Sequence, residues 1–325
     1  MKKKNIFIAS LIAIILMPLF SMAQEEVIII ETFRNNAPER FNAPKTPSFT
    51  LLSKNKKYAM GIGGYVKGTV SMDFNGSINN AAYFTTSAIP VNPQPGNNKL
   101  LQYNINQSSL SFNFVSLSDR KSKFGAYINM NFSGDNYSTY IEDAYVTYGG
   151  LLLGRATSLF TDAAAIPPTI DSEGPNGLTY KTNTVINYKS SWGERKRFST
   201  GIGLEMPSTD FTVSNEQNIT NQYIPDIPSY IQYAWGNNNS SHVRLSSLIR
   251  NVNYYNNIQE KENIISTYAC QLSGLINIKE KLIFYYQLTY GTGITTYIQD
   301  VSGLKLDFLP KNIENHDDKD LGKLE

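Results

Sequence analysis

The stretch "LSFNFVSLSDRKSKFGAYINMNFSG", residues 110–134, is apolar at every second position on either side of one polar break. Before the break, Leu110, Phe112 and Phe114 alternate with polar side chains. After it the apolar series resumes at Phe124, Ala126, Ile128, Met130 and Phe132. Strict alternation predicts strands with one apolar and one polar face. The fold then depends on whether the apolar face meets a protein core or lipid.

The same period recurs along most of the chain. A long strand over 58–74 carries apolar residues at even positions, which is enough length to cross a bilayer at a tilt. Further strands are predicted near 107–116, 123–133, 140–148, 151–160, 182–189, 197–206, 229–235, 241–250, 264–276 and 282–291, which gives about 11 in all. The aromatic residues near predicted strand ends are Tyr140, Tyr148, Tyr188, Tyr233 and Trp235.

The connections between these strands decide what the apolar face meets. Long connections at 75–106, 161–181, 207–228 and 251–263 alternate with short ones such as Gly149-Gly150 and 236–240. Membrane barrels have tight periplasmic turns and long external loops, whereas Greek-key sandwiches follow no such rule. The sequence therefore predicts an all-β fold, a transmembrane antiparallel up-and-down β-barrel whose partner is outer-membrane lipid.

The N-terminus predicts export. Three lysines precede an apolar run from Ile6 to Phe20, and small residues stand before a cleavage site at Ala23/Gln24. We expect a signal peptide over 1–23, a proline-containing periplasmic segment over 24–57, and a Gram-negative outer-membrane barrel domain over 58–325. Loss of the three leading lysines changes the formal charge from +2 to −1. The chain shows no basic stripe, so we expect no nucleic-acid partner.

The sequence contains few side chains that could act in catalysis. The two histidines, His242 and His316, are far apart, and His242 stands beside serines that are ordinary turn formers. A barrel lipase would need a His–Ser couple with a third orienting group. We expect no enzyme activity, no cofactor and no metal site.

Charged residues at lumen-facing positions are the candidate pore lining. Counting by alternation places eight of them inward, Asp73 and Lys189 among them. Six are taken as the candidate pore lining: Lys67, Asp143, Arg155, Glu205, Arg244 and Arg250. Such charges can simply solvate a wet interior, but together they create a field that selects solutes by sign. An arginine among them can hold a carboxylate in a two-pronged hydrogen bond.

The run "EDAYVTYGGLLLGRATSLFTDAAAIPPTIDSEGPNG", residues 142–177, resembles the signature segment of the DcaP-type porins, and "YGTGITTYI" at 290–298 is also similar. The resemblance covers most of residues 58–310. It implies a homotrimeric outer-membrane porin with 16 strands that takes up dicarboxylates and other small anionic solutes. Arg155 matches a family motif position and is the first candidate for a solute contact.

The sequence leaves the placement of one loop and the completeness of the barrel undecided. Loop 160–181 is stiffened by prolines, and its composition fits either an external decoration or a constriction folded into the pore. The final stretch "LPKNIENHDDKDLGKLE" has no strand period, and an odd count of strands predicts a barrel that is incomplete at its C-terminus. The function expected is passive diffusion of small hydrophilic solutes, and the alternative is a secreted or surface β-rich adhesin.

Overall fold

The structure, a computed structural model, describes residues 49–78, 83–92, 96, 99–116, 124–279 and 282–310. The predicted signal peptide with its cleavage site at Ala23/Gln24, residues 24–48 of the predicted periplasmic segment, and the final stretch with His316 lie outside these residues. No helix in the described ranges is both long and apolar enough to span a membrane.

The described residues form fifteen β-strands. They are β1 (Phe49–Leu52), β2 (Tyr58–Tyr65), β3 (Thr69–Asp73), β4 (Leu100–Asn104), β5 (Ser109–Ser116), β6 (Phe124–Asn131), β7 (Tyr140–Tyr148), β8 (Leu151–Thr157), β9 (Thr182–Trp192), β10 (Phe198–Glu205), β11 (Gln217–Ile219), β12 (Ile227–Trp235), β13 (Ser241–Asn256), β14 (Lys261–Lys279) and β15 (Leu282–Gly291).

One antiparallel meander contains nearly all of them. Its order is β1-β2-β5-β6-β7-β8-β9-β10-β12-β13-β14-β15, with β11 paired to β13, while β3 and β4 form a separate hairpin. Each of the eleven predicted strands overlaps a strand of this sheet, so the prediction of an all-β, antiparallel, up-and-down fold is confirmed. Among the described residues β1 and β15 are the edges and do not pair with each other, so the sheet is open here.

Two element predictions were wrong. The single strand expected over 58–74 is two strands, because the chain leaves the main sheet after Tyr65 and β3 pairs with β4 instead. The long loop expected over 251–263 is a four-residue turn, because β13 and β14 continue their ladder to the pair Asn256 and Lys261. The asparagine-rich sequence there has the composition of a loop, yet its backbone is held by cross-strand hydrogen bonds. The sheet also begins before Tyr58, since β1 pairs with β2.

The cross-strand register gives the sheet two unlike faces. The two halves of the opening stretch pair as Leu110 with Met130 and Phe112 with Ile128, which puts their apolar residues on one face. This apolar face continues across the sheet, and many of its large side chains are exposed. Examples are Ile202, Leu288 and Tyr290, which are 57%, 70% and 79% exposed. Bare apolar rows of this extent are typical of strands that face lipid.

The opposite face is polar and is covered by three connecting segments, so we call it the loop-covered face. The segments are loop 158–181, loop 206–226 and segment 292–310. Two small hydrophobic clusters fill the space between them and the sheet: Phe160, Leu248, Ala269, Ile294 and Tyr297 in one, and Phe211, Val252, Tyr254 and Phe308 in the other. The protein's core therefore lies under its loops, on the side away from lipid.

Candidate pore site

Loop 158–181 crosses the loop-covered face and reaches both ends of the meander. Towards the first strands, Lys67 Nζ donates to the carbonyl of Ile170 at 2.9 Å, and Gln107 Nε2 donates to Ser172 Oγ at 2.6 Å. Towards the last strands, the amide of Gly177 donates to Asp300 Oδ2 at 2.5 Å. The amide of Gln299 donates to the carbonyl of Leu178 at 2.9 Å. A loop held at both sides in this way lies folded against the polar face of the sheet and does not project away from it.

A buried carboxylate fixes the first turn of this loop. Asp162 Oδ2 lies 2.8 Å from His242 Nε2 and accepts a hydrogen bond of 2.8 Å from Ser273 Oγ. Burial would raise the pKa of Asp162, but the hydrogen bond and charge of His242, with the charge of Arg244, hold that pKa below its ordinary value. Asp162 therefore stays ionised and ties the loop to β13 and β14.

Arg244 lies beside this anchor. Its guanidinium donates to the carbonyl of Leu159 and, through Nε, to Ser246 Oγ at 3.0 Å. It also lies 3.7 Å from the ring centroid of Tyr230, in a cation–π contact. Arg244 makes no ion pair within the part of the chain that the structure describes, but its charge interacts with that of Asp162.

Arg250 is the centre of a second, fully buried cluster. Its Nε donates to Asp226 Oδ2 at 3.2 Å and its Nη1 donates to Asp307 Oδ2 at 3.3 Å. It also donates to the carbonyls of Gly293 and Ser208. One side chain on β13 thus holds loop 206–226 and segment 292–310 against the sheet.

Glu205 and Tyr297 extend this cluster towards loop 158–181. Glu205 Oε1 accepts a hydrogen bond of 3.2 Å from the amide of Leu159. The Tyr297 hydroxyl lies 3.0 Å from Glu205 Oε2 and 2.9 Å from Asp226 Oδ2. The three loops that cover the sheet are therefore joined to one another as well as to the strands beneath them.

Lys181 is a further candidate residue that alternation could not reveal, because it lies at the end of the loop just before β9. Its Nζ donates to Ser208 Oγ at 2.7 Å and lies 3.9 Å from the ring centroid of Tyr297. Burial, and next the positive charge of Arg250, lower the pKa of Lys181 to about 8. Asp162, Asp226, Asp307 and Tyr297 were likewise not predicted, since each acts through partners far away in the sequence.

The structure brings three of the six predicted pore-lining residues together. Glu205, Arg244 and Arg250 lie on the loop-covered face, where loops bury them almost completely. Asp143 lies on the same face near the first strands, opposite Asn129. Lys67 lies between β2 and β3 and holds the loop tip, and burial lowers its pKa.

Arg155 stands in a row of side chains that belongs to the apolar face, but its guanidinium turns towards Tyr140 and its charge interacts with that of Asp143. It pairs with Ala144 on one side and with Thr184 on the other. Leu153, in the same row of side chains, pairs with Val146 and Ile186, which belong to the apolar face. The Arg155 guanidinium donates instead to the Tyr140 hydroxyl at 2.6 Å and to the carbonyl of Ile141 at 3.1 Å.

The His–Ser arrangement needed for hydrolysis is not formed around His242. Ser273 donates its proton to Asp162 and not to the imidazole, so the serine has no base to activate it. Within the described residues no group of three histidine, cysteine or carboxylate side chains is placed to hold a metal ion.

The up-and-down antiparallel sheet, its bare apolar face and its loop-lined polar face define an outer-membrane porin. The family model described as the Porin subfamily matches residues 61–319, and the chain belongs to this family. This indicates a transport channel of the outer membrane rather than an enzyme or an adhesin.

Among solved structures, the chain is similar to the crystal structure of the outer membrane channel DcaP of Acinetobacter baumannii. The TM-score is 0.63 at 18% sequence identity, and the match covers 77% of this chain and 68% of that chain. The resemblance to DcaP-type porins is thus confirmed at the level of the fold. No curated protein matches the sequence.

Proposed function

We propose that the protein is a passive porin that prefers small hydrophilic anions, with dicarboxylates as the solute class that the family resemblance implies. The proposal is carried by the cations of the loop-covered face. Of the carboxylates there, Asp162 contacts His242, while Asp226 and Asp307 share Arg250. In the described part of the chain Lys181, Lys189 and Arg244 make no ion pair.

These cations lie on the loop-covered face. Lys189 pairs with Gly201 there, and its charge interacts with that of Arg244. Asp143 lies on the same face on β7, two strands away from the strand that carries Lys189. A group of cations in a channel attracts small anions. Passage needs no covalent step, only size exclusion by loop 158–181 and electrostatic selection.

The test is the reversal potential of single channels in planar bilayers under a salt gradient. We expect anion preference in the wild type, reduced by Arg244→Gln and by Lys181→Gln. An unchanged reversal potential in both Arg244→Gln and Lys181→Gln would contradict the assignment of the selective charges to the loop-covered face.

We further propose a homotrimer, exported by the predicted signal peptide. The hairpin β3–β4 supports this, because it stands outside the main sheet with Val70 73% exposed and its cross-strand partner Tyr103 80% exposed. An unpartnered apolar surface of this kind fits a subunit contact. Val70→Asp should shift the detergent-solubilised protein from trimer to monomer in light scattering, and an unchanged mass would remove the hairpin from the interface.

A further inference from the structure

A continuous stack of four aromatic rings lies on the apolar face next to the short turns. Trp192 stacks on Phe198 with centroids 6.0 Å apart, Phe198 meets Tyr233 at 4.9 Å, and Tyr233 stacks on Trp235 at 6.0 Å. The register produces this stack, since Phe198 is directly opposite both Trp192 and Tyr233. Interfacial aromatic residues of this kind mark the level of lipid headgroups.

An open cavity of about 490 Å³ connects the stack to the turn between β9 and β10. Phe198 and Tyr233 form its apolar wall, and Glu194 and Arg197 form its charged wall. A site with one apolar and one charged wall fits an amphiphile, with its tail along the rings and its headgroup at the turn.

The turn itself is strongly basic. Residues 193–197 read Gly-Glu-Arg-Lys-Arg, and Glu194 pairs loosely with Arg195 at 3.9 Å. The Nε of Arg197 is buried and has no hydrogen-bond partner among the described residues. The turn therefore offers uncompensated positive charge and at least one unused donor to a ligand.

The neighbouring turn shows that the fold does not require these cations. Arg195 and Lys196 have φ of 54° and 53°, and Asn238 and Asn239 in the next short turn have φ of 52° and 56°. Both turns begin with a glycine of positive φ, and both close with equivalent backbone hydrogen bonds, Arg197 to Glu194 and Ser240 to Asn237. Asparagine tolerates this left-handed conformation far better than arginine or lysine. The first turn thus has cations at two positions where asparagine would be less strained, and Lys56 (φ 53°) is such a cation in the turn before β2.

We propose that this cavity is a binding site for an anionic glycerophospholipid, with its phosphate beside Arg197, which lines the cavity, and within the field of Arg195 and Lys196 of the same turn, and with an acyl chain along the four-ring stack. Short connections of outer-membrane barrels face the periplasm, so the site meets the phospholipid leaflet. Clusters of basic residues at this level attract anionic headgroups. The inference does not depend on which solutes the pore conducts.

The only two tryptophans of the chain are Trp192 and Trp235, both in the stack, so intrinsic fluorescence reports on this site alone. The protein purified from outer membranes would be placed in bilayers containing either brominated phosphatidylglycerol or brominated phosphatidylcholine at equal mole fraction. We expect stronger quenching by the brominated phosphatidylglycerol.

The decisive variant is Arg195→Asn, Lys196→Asn, Arg197→Ser, which copies the neighbouring turn and should fold at least as well. It should lose the preference for phosphatidylglycerol, by roughly fivefold for each cation removed. The control Lys54→Gln, Lys56→Asn, Lys57→Gln removes three charges from another short turn and should keep the preference.

Four outcomes would overturn the proposal. The wild type could show equal quenching by the two lipids, or the control could lose the preference as fully as the turn variant. Inorganic phosphate could abolish the preference, which would indicate a site for free phosphate. Lack of quenching by either lipid would show that a second copy of the chain covers the stack.

Discussion

The guanidinium of Arg250 on β13 lies 3.3 Å from the carboxylate of Asp307, although 57 residues separate them in the sequence. This pair and the one with Asp226 join the last part of the described chain and loop 206–226 to the same strand. The segments that cover the polar face of this porin are therefore held by buried ion pairs as well as by apolar packing.

Arg250→Met should destabilise the protein by about 3–5 kcal/mol, because it leaves two carboxylates buried without their partner. The free energy of unfolding in urea, followed by tryptophan fluorescence in lipid vesicles, measures this. The triple variant Arg250→Met, Asp226→Asn, Asp307→Asn is the control, and it should recover most of the loss since no buried charge remains. A triple variant as unstable as the single one would show that packing, not charge, is what Arg250 supplies.

Anion preference should depend on pH through Lys181, whose pKa burial lowers to about 8. Below this pH the ammonium is present and attracts anions, and above it the charge is lost. We expect the anion-to-cation permeability ratio to fall with a midpoint near pH 8, and Lys181→Arg to remove this dependence. A midpoint that persists in Lys181→Arg would assign the titration to another group.

The lowered pKa of Lys181 also predicts how the stability of the protein changes with pH. The folded state releases the proton of Lys181 near pH 8, while the unfolded chain keeps it to about pH 10.5. Between these values the unfolded state binds more protons, so the free energy of unfolding should rise with pH. In Lys181→Gln this rise should be smaller than in the wild type.

Asp162→Asn should loosen the inner end of loop 158–181, because a neutral amide replaces the ionised acceptor of His242 and Ser273. We expect the free energy of unfolding to fall by about 1–3 kcal/mol. We also expect larger noise in the open-channel current at neutral pH. Ser273→Ala removes one of the two donors and should give a smaller increase in noise.

The wild type should show the increased open-channel current noise of Asp162→Asn only at acid pH. The folded-state pKa of Asp162 is held below its ordinary value of 3.8, so the anchor is complete above pH 3.8 and is lost as the pH falls through the lower value. Noise that begins well above pH 3.8 in the wild type would contradict an ionised anchor.

Gly154→Ala should impair folding of the barrel. Gly154 has φ of 134°, and a Cβ there would lie 2.3 Å from the carbonyl oxygen of Ala144. The backbone strain of an alanine at this φ should lower the free energy of unfolding by about 1–3 kcal/mol. Gly68→Ala is the control, since a Cβ at Gly68 meets nothing within 4 Å. Heat-modifiable mobility on gels would measure the folded fraction, and equal folded fractions of both variants would contradict the close approach at Gly154.

Alternation along the chain was enough to establish the fold class, because a period of two forces side chains onto two faces whatever the strands pair with. Leu110, Phe112 and Phe114 share a face with Ile128 and Met130, as their spacing predicted. The inward positions of Glu205, Arg244 and Arg250 followed in the same way, because clear alternation surrounds each of them.

Only the tertiary structure decided what these side chains do. Alternation was not sufficient at Arg155, since three successive leucines at 151–153 hide the parity of β8, and only the pairing of the strand and the hydrogen bonds of the guanidinium show where the charge lies. The inward fold of loop 158–181 depends on partners as distant as Lys67 and Asp300, which local sequence cannot indicate. Local spacing determines which face a strand residue takes, whereas the contacts of a loop are set by segments that only folding brings together.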